Sequence, residues 1–289
     1  MDFDKLHTFC QLAQDGNYRI ASEHLCITQS ALTKKIQRLE AQIGISLFDR
    51  GRQGACLTQA GQTLLPEAQR LVASFKAFGA LADMVVEGTT GTLNIGFGIS
   101  SYHLAPNYIA RFKRHFPNIH ITLNDLPSHS QNIALLRDEL QLSFSRLPVD
   151  PPLTAIRLIS DSLVVAFHRS VCVDKSNLWQ CLKRKNYLRL RSARGRGLSR
   201  QIDMLLAEHG QKLYPVQEAD DIQTLLALVS ADLGFTIIPK SASYIANSNI
   251  IFFSLEGEQS VWESGLVWNQ DISHPARDNF IEFILNEEK

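Results

Sequence analysis

Residues 17–58, NYRIASEHLCITQSALTKKIQRLEAQIGISLFDRGRQGACLT, constrain this chain more than any other stretch. Two short helical patterns flank a tight turn, and a basic, glycine-flanked tip follows between two strand-like segments. The second helical pattern has two incompatible faces. Leu32, Ile36, Leu39 and Ile43 recur at helical spacing and are expected to pack inward. Gln29, Ser30, Thr33, Lys34, Gln37 and Arg38 fall on the other side. Amides, hydroxyls and cations placed this way can hydrogen-bond base edges and neutralise phosphates when a helix enters the major groove.

A polar face on an isolated helix would be only a solvated face, so the surrounding order decides. Ala21, Leu25 and Ile27 supply an apolar support helix and turn, Thr28 is a natural N-cap, and Gly44 stops the helix. Between Thr28 and Thr58 the cations Lys34, Lys35, Arg38, Arg50 and Arg52 meet only Glu40 and Asp49. Upstream, Lys5 and Arg19 are outweighed by Asp2, Asp4, Asp15 and Glu23, so positive charge concentrates on one side of the segment. The expected DNA contacts are Thr28, Gln29, Ser30, Thr33, Lys34, Lys35, Gln37, Arg38, Arg50 and Arg52.

From Phe3 to Leu71 the chain resembles the winged helix-turn-helix of LysR-type transcriptional regulators, through FDKLHTFCQLAQDGNY, IASEHLCITQSALTKKIQRLE, IGISLFDR and LTQAGQTLL. Three positions depart from that pattern. Arg19 stands where a Ser or Thr commonly caps the support helix, Ile20 replaces a usual Arg or Lys, and Ser30 replaces a frequent Pro. A lost hydroxyl cap costs about 1 kcal/mol unless another group replaces it. Asn17 is the candidate replacement; alternatively Arg19 contacts a phosphate.

The 289 residues leave room for this small domain and a larger one. Formal net charge is zero, so only its local distribution points to nucleic acid. No apolar run approaches the roughly 18 residues of a membrane helix, and the opening MDFDKLHTF is unlike a signal peptide. A soluble cytoplasmic protein without a membrane partner is expected. Cys10, Cys26, Cys56, Cys172 and Cys181 are scattered, with no spacing suited to a metal, and no cofactor motif is present. Some LysR-type regulators sense peroxide through a cysteine pair, which raises Cys172 and Cys181 as a redox alternative. The segment matching the first of those cysteines, GRGLSRQ, holds none.

An enzyme is the alternative from a different class, a small-molecule-binding α/β catalyst. Gly96–Phe97–Gly98 lacks the third glycine of a dinucleotide loop, and no GxSxG, Walker or HExxH sequence occurs. The expectation is therefore a non-enzyme.

After Thr58, a second candidate cap, Leu64, Ala68, Leu71, Phe75, Phe78, Ala82 and Val85 follow in steps of four and three, the seam of a coiled coil. The reading is a linker helix that pairs two chains, bent near Pro66. Two recognition helices on one duplex would read an inverted repeat with half-sites about one helical turn apart. The resemblance implies further assembly of homodimers into homotetramers, and RNA polymerase as an additional partner.

Gly88–Thr89–Thr90–Gly91 reads as a flexible break, after which strand-like and helix-like patterns alternate from TLNIGFGI to PARDNFIEFILNEE, as in parallel α/β sheets. This region resembles the periplasmic-binding-protein-like (type 2) effector domain of LysR-type regulators, best in GTLNIGFG, LLALVSADLGFTIIP and LVWNQ. The expected architecture is an α/β chain with a winged helix-turn-helix over 1–58, a linker helix over 59–88 and an effector domain over 89–289. By that resemblance lobe I spans about 91–161 and 266–289, and lobe II about 162–265. Gln141 and Ser143 replace a usual Asp and Ala.

Ligands in open α/β sheets sit beyond the carboxyl ends of strands. Ser100 and Ser101 lie there at a helix N-terminus, where free N–H groups favour an anion. Ser128, Ser145 and Arg146 follow the next strands, and Arg194, Arg196 and Ser199 come from a Gly-containing loop in lobe II. Together they point to a small, anionic effector, with Arg146 as its main cation. The alternative is that these arginines face solvent or a partner chain.

Overall fold

A computed structural model describes residues 2–49, 54–193 and 195–287, and the chain divides into two compact units, 1–86 and 87–289. The N-terminal unit opens with α1 (Phe3–Asp15), α2 (Tyr18–His24) and α3 (Gln29–Ile43). Each start is set by a polar cap. Asp2 accepts from the Lys5 N–H, Asn17 from those of Arg19 and Ile20, and Thr28 from that of Ala31. Asn17 thus supplies the α2 cap, while Arg19 pairs with Glu23 at 2.7 Å. Gly16 and Gly44 end α1 and α3 in the left-handed conformation, at φ 62° and 85°.

Leu32, Ile36 and Leu39 are buried with Phe9, Leu12 and Ala21 in one core. Ile43 differs from the expectation: one helical turn past Leu39 it has run beyond that core and is 38% exposed. The expected pair of wing strands reduces to a single antiparallel bridge, Phe48 with Leu57, among the described residues. Glu40 fixes the start of the wing, its Oε1 accepting from the Leu47 and Phe48 N–H groups at 2.7 and 3.2 Å.

The linker helix α4 (Gln59–Val86) is capped by the Thr58 hydroxyl, which accepts from the Gly61 N–H. Its first half belongs to the N-terminal core: Ala68 and Val72 are buried, and Leu64 and Leu65 half-buried. From Leu71 onward its large apolar side chains are mostly exposed, with Phe75 stacked on Phe3 of α1 at 4.2 Å. Leu71, Phe75, Phe78, Leu81 and Val85 are all at least half exposed.

The C-terminal unit is built from β1 (Gly91–Phe97), α5 (Leu104–His115), β2 (Ile119–Asp125), α6 (Ser128–Leu136), β3 (Leu142–Arg146) and β4 (Leu153–His168). Then come α7 (Leu178–Lys183), β5 (Tyr187–Leu190), α8 (Arg196–Glu208), β6 (Pro215–Ala219), α9 (Ile222–Ser230), β7 (Phe235–Pro239), β8 (Ile250–Ser254), β9 (Val261–Asn269) and α10 (Pro275–Glu287). The sheet order is β2-β1-β3-β9-β4-β7-β5-β6, with β8 on β4. It is mixed rather than parallel. β1, β2 and β3 pair in parallel, as do β5, β6 and β7, but β4 and β9 run antiparallel to each other and to their neighbours.

That departure has a topological reason. The two larger hydrophobic cores of this unit gather around Leu93, Phe112, Phe144 and Phe280 and around Val165, Tyr187, Leu205 and Phe235, and a smaller cluster holds Leu135, Leu140, Leu153 and Val267. β4 and β9 are the strands that run through both, so each lends one half to each core. The Gly88–Gly91 break is held rather than free. A side chain on Gly88 would meet the Pro275 backbone at 2.5 Å, and the Asn279 amide donates to the Glu87 and Gly88 carbonyls.

Candidate DNA interface and interlobe site

In the N-terminal unit the polar face of α3 is displayed much as its spacing implies. Gln29, Ser30, Lys34, Gln37 and Arg38 are exposed, while Thr33 is half-buried and its hydroxyl donates to the Gln29 carbonyl at 2.9 Å. Thr28 is engaged as the cap and also meets the Ser30 hydroxyl at 3.1 Å. Lys35 turns away, its ammonium 2.7 Å from Asp4 on α1. Arg50 and Arg52 lie outside the described residues. Between α3, the start of α2 and the wing lies a concavity of about 430 Å³, bordered by Asn17, Gln29, Thr33, Gln37 and Asp49. Its rim offers amide and hydroxyl groups together with the carboxylates of Glu40 and Asp49.

In the C-terminal unit the candidate residues sort into three groups. The Ser128 hydroxyl accepts from the Arg146 N–H at 3.3 Å, and the Ser145 hydroxyl donates to Asn132 at 3.2 Å. Ser101 is buried and closed on itself, donating to the Gly98 carbonyl and accepting from the Gly98 N–H; Ser100 beside it is half-exposed. Arg196 is exposed on the first turn of α8, Ser199 is buried with no partner for its hydroxyl among the described residues, and Arg194 lies outside them.

Arg146, at the end of β3, has an environment that spacing did not reveal. Its guanidinium lies 3.8 Å over the ring of Trp262 on β9. Burial draws its pKa down to about 10, and the carboxylate of Asp161 on β4 opposes that shift. Asp161 is itself buried and fully engaged. It accepts from the Ser162 N–H at 2.8 Å, the Ser241 N–H at 3.2 Å and the Ser241 hydroxyl at 2.7 Å. A cation on one core, a carboxylate on a shared strand and a hydroxyl on the other core are thereby connected.

The loop after β1 contributes further contacts. Ile99 packs against the core around Val165. The Tyr102 hydroxyl donates to Asp125 at 2.5 Å, and burial followed by that carboxylate pushes its pKa well up. The His103 ring stacks on Tyr244 at 4.3 Å and 13°, joining the loop after β1 to the turn after β7. None of Trp262, Asp161, Ser241, Ile99 or Tyr244 carried a sequence signal, because each matters only through a residue far away in the chain. Among the described residues no helix is long and apolar enough to cross a membrane, and no group of three or more metal-ligating side chains occurs.

Comparison with known proteins accords with both halves. The family profile described as bacterial regulatory helix-turn-helix protein, lysR family, matches residues 3–62, and that of the LysR substrate binding domain matches residues 87–289. The HTH-type transcriptional regulator IlvR of Caulobacter vibrioides is 27% identical over 99% of this chain and 98% of its own. BenM of Acinetobacter baylyi, likewise an HTH-type transcriptional regulator, is 26% identical over 88% of this chain and 86% of its own. Among solved structures, the LysR family transcriptional regulator CbnR is similar at a TM-score of 0.79, with 25% identity over 98% of this chain and all of its own. Full-length CbnR complexed with its target DNA gives a TM-score of 0.80 at 24% identity, covering both chains completely.

Proposed function

Because this chain belongs to the LysR family of DNA-binding transcriptional regulators with an effector-binding domain, and not to a family of enzymes, we propose that it reads an inverted repeat in promoter DNA as a homo-oligomer whose grip responds to a small anion. The observation that carries the DNA half is the division of α3, with Leu32, Ile36 and Leu39 buried and Gln29, Lys34, Gln37 and Arg38 exposed. A helix of 15 residues is about 22 Å long, enough to lie in a major groove. Gln29, Ser30, Thr33 and Gln37 read base edges; Lys34 and Arg38, with Arg50 and Arg52, hold phosphates.

Pairing follows from α4. Five large apolar side chains stand open on its second half, a stripe that a second copy would cover. Four of those five, Leu71, Phe75, Phe78 and Val85, form the seam together with Ala82; Leu64 and Ala68 are already occupied in the chain's own core. Two dimers together make the tetramer. Acting at promoters, the protein works in the cytoplasm, with RNA polymerase as the partner its position affects. Between the lobes, Arg146 supplies the charge and Ser100 and Ser128 polar contacts; Arg194 and Arg196 add positive charge from lobe II.

Footprinting on the DNA upstream of its own coding region tests the DNA reading. Protection should cover two half-sites about one helical turn apart. Thr33→Ala and Lys34→Ala should lose that protection while chromatographic size stays that of the wild type. Undiminished protection by both variants would remove α3 as the reading helix.

A further inference from the structure

The concavity between α3, the start of α2 and the wing is short of positive charge. The described residues that border it include two carboxylates, Glu40 and Asp49, and no lysine or arginine. Lys34 and Arg38, the exposed cations of α3, are not among them. A hollow of this kind can lie against DNA only if a cation stands at its lip, because every phosphate that passes brings a negative charge. Arg19 is placed to supply that cation. It follows Tyr18, which borders the concavity, and its side chain is 68% exposed.

Folding alone gives Arg19 no reason to be there. Asn17 starts α2 by accepting from the Arg19 and Ile20 N–H groups, so the arginine side chain has no capping duty and those two donors are closed to an anion. A cation in the first turn of a helix opposes the macrodipole. The ion pair with Glu23 adds little. It lies at the surface with the cation N-terminal to the carboxylate, the weaker of the two helical orders, and both side chains are open to screening by salt. Lys35 is the contrast: it is half-buried and its ammonium ties α3 to Asp4 of α1. A charge that local stability does not explain, beside a reading helix, marks a function.

We propose that Arg19 is a phosphate clamp, whose guanidinium leaves Glu23 on operator DNA and takes the backbone phosphate that passes the mouth of the concavity. The proposal rests on the DNA reading above and adds a contact outside α3 and the wing. The planar guanidinium fork matches two phosphate oxygens at once. In a helix-turn-helix the first helix crosses the backbone while the second reads bases, so this contact sets how α3 sits in the groove and carries no sequence information itself. Glu23 gives the clamp a rest position. Its carboxylate holds the guanidinium in the free protein and must surrender it on binding, which opposes association weakly and equally on every sequence.

The test titrates full-length protein, over a range of salt, on two duplexes of equal length. One is taken from the DNA upstream of its own coding region and the other is the same sequence scrambled. Arg19→Ala should weaken binding to both by the same factor, about three- to tenfold at low salt, and lower the slope of log affinity against log salt by about one. Arg19→Lys should restore most of that slope. Glu23→Gln should tighten both complexes by about twofold, and by less beside Arg19→Ala. Wild-type circular dichroism and melting temperature show that each variant is folded; should Arg19→Ala fail this check, Arg19→Gln replaces it. A slope that loss of the arginine leaves unchanged overturns the clamp. So does a loss confined to the upstream duplex, which would make Arg19 a reader of bases, or a gain from Glu23→Gln that is equally large without Arg19. Lys34→Ala separates the two readings: a slope lowered by it but not by Arg19→Ala removes the clamp alone, and a slope lowered by neither removes the DNA face of α3 as well.

Discussion

The polar face of α3 comes from 15 consecutive residues, whereas the group around Arg146 is assembled from β3, β4, β9 and the turn after β7. In the first case helical periodicity alone decides which side chains share a face, and caps at Thr28 and Gly44 fix where that face begins and ends. In the second, no period relates Arg146 to Asp161, Ser241 or Trp262; strand pairing does. The two sites also differ in solvent. The α3 cations stand in water, where their charge costs little and steers DNA over distance. Arg146 is largely removed from water, where an uncompensated charge is expensive and a matched one is selective. An exposed row suits a long polyanion, and an enclosed cation suits one small partner.

The largest effect should come from the buried side of α3. Leu39 is fully buried against Phe9 and Leu12, and Leu39→Ala should cost about 2–5 kcal/mol. Hydrogen exchange should show lost protection across α1 to α3 and unchanged protection in β1, β3 and β9. Equal loss in both units would break the contrast, by showing that the reader and the effector domain unfold as one.

A smaller effect should appear where the lobes meet. His103 and Tyr244 stack at 4.3 Å, and aromatic pairs are worth about 0.5–1.5 kcal/mol beyond their area. A double-mutant cycle with His103→Ala and Tyr244→Ala, read by urea unfolding of the C-terminal unit, should give a coupling energy in that range. Simple additivity of the two substitutions would mean that the rings share a surface without joining the lobes.

The same contrast explains what the sequence made legible. The α3 pattern, its caps, the long helix α4 and the alternation of strands and helices are local, and they appear where the periodicity places them. Departures arise where distant contacts take over. Ile43 lies past the edge of the core it was assigned to, and Ala68 serves the N-terminal core rather than an open seam. Lys35 is indistinguishable from Lys34 by charge count, yet Asp4, far back on α1, claims it. The antiparallel course of β4 and β9 depends on their passage through both cores, which alternation alone does not encode. Arg146 was recognisable as a cation after a strand, but its stack on Trp262 was not, since that pair exists only through the order β3-β9-β4.

Lys34 and Lys35 are adjacent cations with different surroundings, so the salt dependence of operator affinity tests most directly whether the exposed face of α3 grips DNA. Operator affinity should fall steeply with salt, and Lys34→Ala should lower the slope of log affinity against log salt by about one. Lys35→Ala, which removes a partner of Asp4 rather than a free phosphate contact, should change that slope less. A slope unaltered by Lys34→Ala, or altered only by Lys35→Ala, would contradict the assignment of this face to DNA.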